Sequence, residues 1–139
     1  MRSDDEAKVE DIMTRNPHTL EADDVLDLAD DLMSMARIRH IPILSSGKLV
    51  GILSQRDLFF SALVRALGLQ PREQKDLMKT IRARELMSHP VITISPGANV
   101  KEAARLMGQN KIGCLPVVKG KQFVGIVTET DILNYVATR

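Results

Sequence analysis

Two short phrases in this 139-residue chain have the residue types and spacing for chemistry: Ser54-Gln-Arg-Asp57 and Thr128-Glu-Thr-Asp131. Each sets a hydroxyl three residues ahead of a carboxylate, and each hydroxyl follows a glycine, Gly51 or Gly125, by three positions. At a helix start this spacing has two uses. The first is a capping box, in which the hydroxyl accepts from an N–H of the first turn and the acid reaches back to the N–H of the hydroxyl residue. The second is recognition of a ribose phosphate. The first turn of a helix gathers free N–H groups and partial positive charge, which attract phosphate. The hydroxyl adds a donor, and a carboxylate one turn later accepts from both ribose hydroxyls. A single copy fits a cap; a second copy adds weight to the ligand reading.

The phrase recurs because the chain does. Residues 13–58 overlay residues 87–132 without a gap at a shift of 74. Met13, Thr19, Ala29, Leu32, Met33, Ile38, Pro42, Val50, Gly51, Ile52 and Asp57 all meet an identical residue. Thr14/Ser88, Leu20/Ile94 and Ile41/Leu115 exchange like for like. An open solenoid needs three or more units. Two copies instead predict mutual burial about a pseudo-two-fold axis, with any pocket on that axis present in two related versions.

The elements that must hold these groups follow from periodicity. Each copy opens on a short strand, Met13–Leu20 or Met87–Ile94. A helix follows, with Val25, Leu28, Ala29, Leu32, Met33 and Ala36 at stripe spacing in the first copy and Val100, Ala103, Ala104 and Met107 in the second. Ile41–Leu44 and Leu115–Val118 read as strands, with Pro42 and Pro116 implying a strand start or an edge. Ser45–Lys48 and Lys119–Gln122 read as hairpin turns, Leu49–Leu53 and Phe123–Val127 as return strands. The last helix starts near Ser54 or Thr128. In the first copy it is apolar on several sides (Leu58, Phe59, Phe60, Leu63, Val64, Leu67), which predicts a second molecule against it. Gly68 is a helix stop and Pro71 a helix start. Each unit is therefore strand, helix, strand, strand, helix, and the fold class is α/β in the mixed, α+β sense. The boundaries are 9–64 for the first repeat, 65–82 for a helical connector and 83–136 for the second repeat.

Bulk composition narrows the function. Net charge is +1, with 44% hydrophobic and 27% charged residues, so no overall field steers the chain to nucleic acid or membrane. Acid collects at Asp23, Asp24, Asp27, Asp30 and Asp31, and base at Arg65, Arg72, Lys75, Lys79, Arg82 and Arg84; both read as solvated helix faces. With three Phe, one Tyr and no Trp, stacking platforms for single strands are lacking, and nucleic acid is not an expected partner. Cys114 is the only cysteine and lies in an apolar run, as a buried inert thiol does. The charged N-terminus has no signal-peptide core, and no apolar run is long enough for a bilayer, so the expected location is cytoplasmic. His18, His40 and His89 show no metal-ligand spacing. A P-loop, a GxGxxG and a nucleophile elbow are absent, and an enzyme is not expected.

Taken in order and twice, the phrases resemble a CBS (cystathionine β-synthase-type) domain. They are Asp11-Ile-Met-Thr14, Arg39-His-Ile-Pro42 and Val50-Gly-Ile-Leu-Ser-Gln-Arg-Asp57 in the first copy. In the second they are Glu85-Leu-Met-Ser88, Ile112-Gly-Cys-Leu-Pro116 and Val124-Gly-Ile-Val-Thr-Glu-Thr-Asp131. The resemblance covers roughly residues 9 to 136 and implies a tandem pair, or Bateman module. Such a pair binds AMP, ADP, ATP or S-adenosylmethionine as ligand rather than as a required cofactor, and commonly forms a disc-like homodimer. By similarity, Asp57 and Asp131 hold ribose hydroxyls, Ser54 and Thr128 face phosphate, and Arg56 and Thr130 stand beside it. One cleft adds Thr14, Thr19, Ile38 and Arg39 to Thr128–Asp131; the other adds Ser88, Thr93, Ile112 and Gly113 to Ser54–Asp57. Ile41 and Leu115 line the pockets. Arg56 favours the Ser54–Asp57 cleft for a di- or triphosphate, against Glu129 in the other. The function implied is a regulatory module that senses an adenosine ligand and signals through conformation or assembly, with output in trans to a protein effector. The alternative is a structural or protein-interaction module with unoccupied pockets.

Overall fold

The computed structural model of the chain describes residues 7–59 and 67–139, Phe59 by its backbone alone. The elements run α1 (Val9–Ile12), β1 (Thr14–Arg15), β2 (Leu20–Glu21), α2 (Leu26–Ala36), β3 (His40–Ser45), β4 (Lys48–Ser54) and a 3-10 turn (Gln55–Phe59). After these come α3 (Pro71–Met78), α4 (Ala83–Leu86), α5 (Val100–Asn110), β5 (Cys114–Lys119), β6 (Gln122–Thr128) and α6 (Glu129–Ala137). The shift of 74 seen in the sequence holds element by element, from α1/α4 through α2/α5 and β3/β5 to β4/β6. The fold is mixed α+β, with two small sheets of order β2-β3-β4 and β1-β6-β5.

The chain divides into two compact units, residues 18–91 and residues 1–17 with 92–139. These units do not follow the repeats: the opening segments have been exchanged. β1, from the first repeat, pairs antiparallel with β6 of the second, Thr14 opposite Ile126 and Arg15 opposite Gly125. Ser88, from the second repeat, bridges Ile52 of the first in the equivalent place. The exchange extends to the helix starts. Leu26 N–H donates to the Ile81 carbonyl at 2.8 Å, and Val100 N–H to the Ala7 carbonyl at 2.9 Å. Each opening segment thus satisfies a first-turn donor that α2 or α5 cannot satisfy itself. The expected opening strand is accordingly two pieces. Thr14–Arg15 serves one sheet and Leu20–Glu21 the other, with Asn16 at positive φ and Pro17 turning the chain between them.

Each unit has its own core. In residues 18–91 it gathers Leu20, Leu26, Ala29, Met33, Ile41, Ile43, Leu53 and Leu58, with Met78 and Ala83 from beyond the hairpin. In the other unit it gathers Val9, Ile94, Ala103, Met107, Leu115, Val117 and Val127. Val9 is fully buried although α1 is a single turn; burying such a side chain contributes about 1.5–3 kcal/mol. The two short helices escape periodicity because one turn has no period to show. The expected stripes are broader than the buried faces: Leu28 and Ala104 are exposed, and the burial runs through Leu26, Ala29, Met33 and their counterparts.

The hairpins form where turn chemistry placed them. Ser46 and Gly47 both take positive φ between β3 and β4, as a two-residue type I′ turn requires, and Gly120 does so between β5 and β6. Pro42 lies inside the central strand β3, whereas Pro116 lies in β5, the end strand of the order β1-β6-β5, beyond which only an isolated parallel bridge joins Ile94 to Val117. The Pro116 carbonyl accepts from Ile94 N–H, the first bond of that parallel pairing, so the missing proline N–H falls at the end of the ladder. Pro71 opens α3 as expected. The basic residues are partly paired, not merely solvated: Lys75 Nζ lies 2.6 Å from Asp27 and 3.6 Å from Asp31, and Arg84 pairs with Asp23. The hydrogen bond to Asp27 raises the Lys75 pKa. Exposed pairs of this kind contribute little stability. Of the side chains expected to meet a second molecule, Leu58 is buried in its own unit and Leu67 is 72% exposed. Phe60, Leu63 and Val64 lie outside the described residues, as does the Phe59 side chain.

Candidate functional site

Both Ser/Thr-x-x-Asp phrases stand where a return strand ends and a helical turn begins. In the first, Ser54 N–H donates to Asp57 Oδ2 at 2.7 Å and Asp57 N–H donates to Ser54 Oγ at 3.1 Å. In the second, Thr128 N–H donates to Asp131 Oδ2 at 2.9 Å and Asp131 N–H to Thr128 Oγ1 at 3.2 Å. These are reciprocal capping boxes, so the first of the two sequence readings is realised in both copies. Capping does not exhaust either group. One carboxylate oxygen in the cap leaves the other to accept, and a hydroxyl that accepts still has its proton to donate.

A further pair of bonds was invisible to residue types. Gln55 N–H donates to the Arg39 carbonyl at 2.7 Å, and Glu129 N–H to the Gly113 carbonyl at 3.0 Å. Of the first-turn donors expected to attract phosphate, one is therefore taken by a carbonyl and another by the cap hydroxyl. The backbone N–H of Arg56 or Thr130 stands between them. No side chain signals these bonds, because any residue can supply a carbonyl. They place Arg39 beside the Ser54 cap and Gly113 beside the Thr128 cap.

The exchange of opening segments brings Thr14 onto the strand that ends in Thr128, and Ser88 onto the strand that ends in Ser54. Thr19, Ile38 and Arg39 belong to the compact unit of Ser54–Asp57, whereas Thr93, Ile112 and Gly113 belong to that of Thr128–Asp131. Ile38 and Ile112 each follow a residue at positive φ, Arg37 and Lys111, that closes α2 or α5. Ser54, Asp57, Thr128 and Asp131 are half-buried, and Arg56 and Thr130 are exposed. Ile41 and Leu115 correct the expectation that they line pockets. Both are 0% exposed and belong to the two cores, so they present no surface to a ligand. On α6 a shallow groove is lined by Ile12, Asp131, Asn134, Tyr135 and Thr138. Among the described residues, no cluster of His, Cys, Asp or Glu can hold a metal ion, and no helix is long and apolar enough to cross a membrane.

Cys114 stands opposite Thr128 in the β5–β6 ladder and is buried. Burial first, and the Asp131 charge second, push its thiol from 9.0 up to about 12. A pKa raised on folding contributes stability that is fully present below the unfolded value and lost as pH rises through the folded one. The stability contributed here is complete below pH 9.0 and lost as pH rises toward about 12. Thiol-reagent labelling at pH 8 is expected to be slow in the native protein and fast in denaturant. Equal rates in both would contradict the burial.

Comparison with known proteins places this geometry in a family. The CBS domain family matches residues 9–63 and 83–138. MJ1225 of Methanocaldococcus jannaschii is 34% identical over 120 residues, covering 79% of this chain and 41% of that one. The chain likewise spans only 32% of MJ1404 from the same organism, at 32% identity over 136 residues, or 95% of its own length. Among solved structures, AcuB of Vibrio cholerae superposes with a TM-score of 0.76 at 40% identity, covering 94% of this chain and 90% of that one. The CBS domain pair of MJ0100, solved with 5′-methylthioadenosine and S-adenosyl-L-methionine, gives a TM-score of 0.76 at 28% identity over 95% of this chain and 97% of that one. CBSX2, solved with AMP, gives 0.76 at 25% identity over 95% and 97%. Two matches in one chain, each covering one copy of the repeat, leave one assignment: this chain belongs to the CBS domain family and carries the domain twice, as a tandem pair.

Proposed function

We propose that the chain is a regulatory module that binds an adenosine ligand, AMP, ADP, ATP or S-adenosylmethionine, and signals through a change of conformation or assembly. The observation that carries this reading is the duplicated hydroxyl–carboxylate pair, each pair with capacity left over after capping. The ligands in the MJ0100 and CBSX2 structures share the adenosine that such a pair would read. In this reading Asp57 and Asp131 accept from ribose hydroxyls, Ser54 and Thr128 donate toward phosphate with Arg56 and Thr130 beside them, and Thr14 and Ser88 stand on the adjoining strands. Thr19, Ile38, Arg39, Thr93, Ile112 and Gly113 complete the ligand surface. A ligand can shift an equilibrium only by its differential affinity for the two states, so the signal depends on one arrangement holding adenosine better. The chain contributes binding rather than catalysis, acts in the cytoplasm on a protein effector in trans, and is a homodimer. Leu133 and Val136, 67% and 61% exposed on α6, add apolar surface for that assembly.

A second reading has a specific observation behind it. Both acids are fully competent as caps, which is all a structural or protein-interaction module would need. Melting curves against AMP, ADP, ATP and S-adenosylmethionine, paired with light scattering, separate the two. The nucleotide reading expects at least one compound to raise the melting temperature, since a ligand that binds only the native state stabilises by about 2.7 kcal/mol at one hundred times its Kd. It also expects about twice the 15.4 kDa chain mass. No shift with any compound leaves the structural reading standing.

A further inference from the structure

We propose that Met87 and Met13 are positioning residues. Each seats its side chain on the bare face of a strand glycine, Gly51 or Gly125, and so pins the register of an exchanged opening segment against the strand that ends in Ser/Thr-x-x-Asp. The pairing to be held is short. Ser88 N–H donates to the Ile52 carbonyl at 2.8 Å and Ile52 N–H returns to the Ser88 carbonyl at 3.2 Å. β1 pairs with β6 over Thr14 and Arg15 alone. So few bonds specify register weakly, and a slip of one residue would turn Ser88 or Thr14 to the opposite face of its sheet.

The glycines show what resists the slip. A Cβ on Gly51 would collide with Met87 Sδ and lie 2.7 Å from its Cγ, so the methionine fills the volume that any side chain there would need. A Cβ on Gly125 would lie 2.6 Å from the Thr14 carbonyl oxygen and 3.3 Å from Met13 Sδ. Both seats bring an opening segment down onto a glycine, but the closest atom belongs to a side chain in the first and to the backbone in the second. Methionine suits such a seat, because its unbranched, adaptable chain can lie along a backbone where a branched one would not. Met13 recurs as Met87 and Gly51 as Gly125 at the same shift as the rest of the repeat. The two pairs share one role.

The difference between the seats makes the test sharp. Melting curves of the full chain are compared for Gly51→Ala, Met87→Ala and their double variant, and for Gly125→Ala, Met13→Ala and theirs. G51A is expected to lower the melting temperature by about 4 °C or more, as overpacking does. The double variant G51A/M87A should regain part of the G51A loss, because it removes the Sδ and Cγ contacts and leaves only the residue 87 Cβ, 3.1 Å from the new methyl. G125A should also lower it, and M13A should not rescue it, because the Thr14 carbonyl stays in place. Additive losses in the first pair overturn the lock.

Register itself is read by hydrogen exchange at the Ser88 and Ile52 amides. G51A and M87A should each accelerate it; exchange unmoved by M87A would reduce Met87 to packing and overturn the positioning role. A third arm rests on the proposed nucleotide reading. If AMP or ATP binds the wild-type chain, G51A and M87A should each lose about tenfold in affinity. Binding that is insensitive to G51A overturns the link between register and site. A wild-type chain that binds no adenosine compound sinks the nucleotide reading alone, with the lock still decided by melting and exchange.

Discussion

Ile41→Ala and Leu115→Ala are each expected to cost about 2–5 kcal/mol of unfolding free energy, the range for emptying a packed aliphatic site. Both side chains are fully buried, one in each core. Each stands next to a proline in a hairpin strand, β3 or β5, where the paired backbone has little freedom to collapse into a cavity. Urea titrations measure the loss as a lower midpoint with an unchanged slope. A pocket-lining role predicts the opposite pattern, a small stability change and a large loss of ligand affinity. A cost below about 1 kcal/mol in either variant would return that residue to the pocket wall.

Asp57→Asn and Asp131→Asn are expected to separate capping from ligand contact. An amide oxygen can still accept from Ser54 or Thr128 N–H, so most of the cap survives. The lost charge at a helix N-terminus costs only about 0.3–1 kcal/mol. Asp→Ala removes the acceptor as well and should cost about 0.5–2 kcal/mol per cap. The ligand reading expects both Asn variants to keep their fold and lose nucleotide-induced stabilisation at their own copy of the motif. Wild-type nucleotide affinity in the double variant would move the ribose contacts to other residues. Calorimetry with AMP and ATP reads the affinities, and melting without ligand reads the caps.

The internal repeat, its period, the hairpins and the duplicated hydroxyl–carboxylate pair are legible in the residues alone. All are local: a turn needs Ser46-Gly47 or Gly120, an amphipathic helix needs its stripe, and a cap needs two residues three apart. The CBS resemblance rests on these same residues, and the family match covers both copies. The stripes are broader in sequence than in the fold, since Leu28 and Ala104 fit the period but face outward. Spacing states which residues share a face, and only the neighbours decide how wide the covered part is.

The CBS resemblance already set Thr14 with Thr128–Asp131 and Ser88 with Ser54–Asp57; what the tertiary structure alone decided is which backbone bonds make that exchange. The opening segments are single turns and two-residue strands, too short to carry a period, and their partners lie far along the chain. Val9 docks among residues of the second repeat and Ala83 among those of the first through backbone bonds that any sequence can make: Val9 N–H to the Ala98 carbonyl and Ala83 N–H to the Asp24 carbonyl, both at 2.8 Å. Residue types could name Gly51 and Gly125 as repeated glycines, but not say that a methionine or a carbonyl lies against each. Likewise they named Ile41 and Leu115 as apolar, a property shared by a pocket wall and a core. Burial distinguishes the two, and burial belongs to the packed chain.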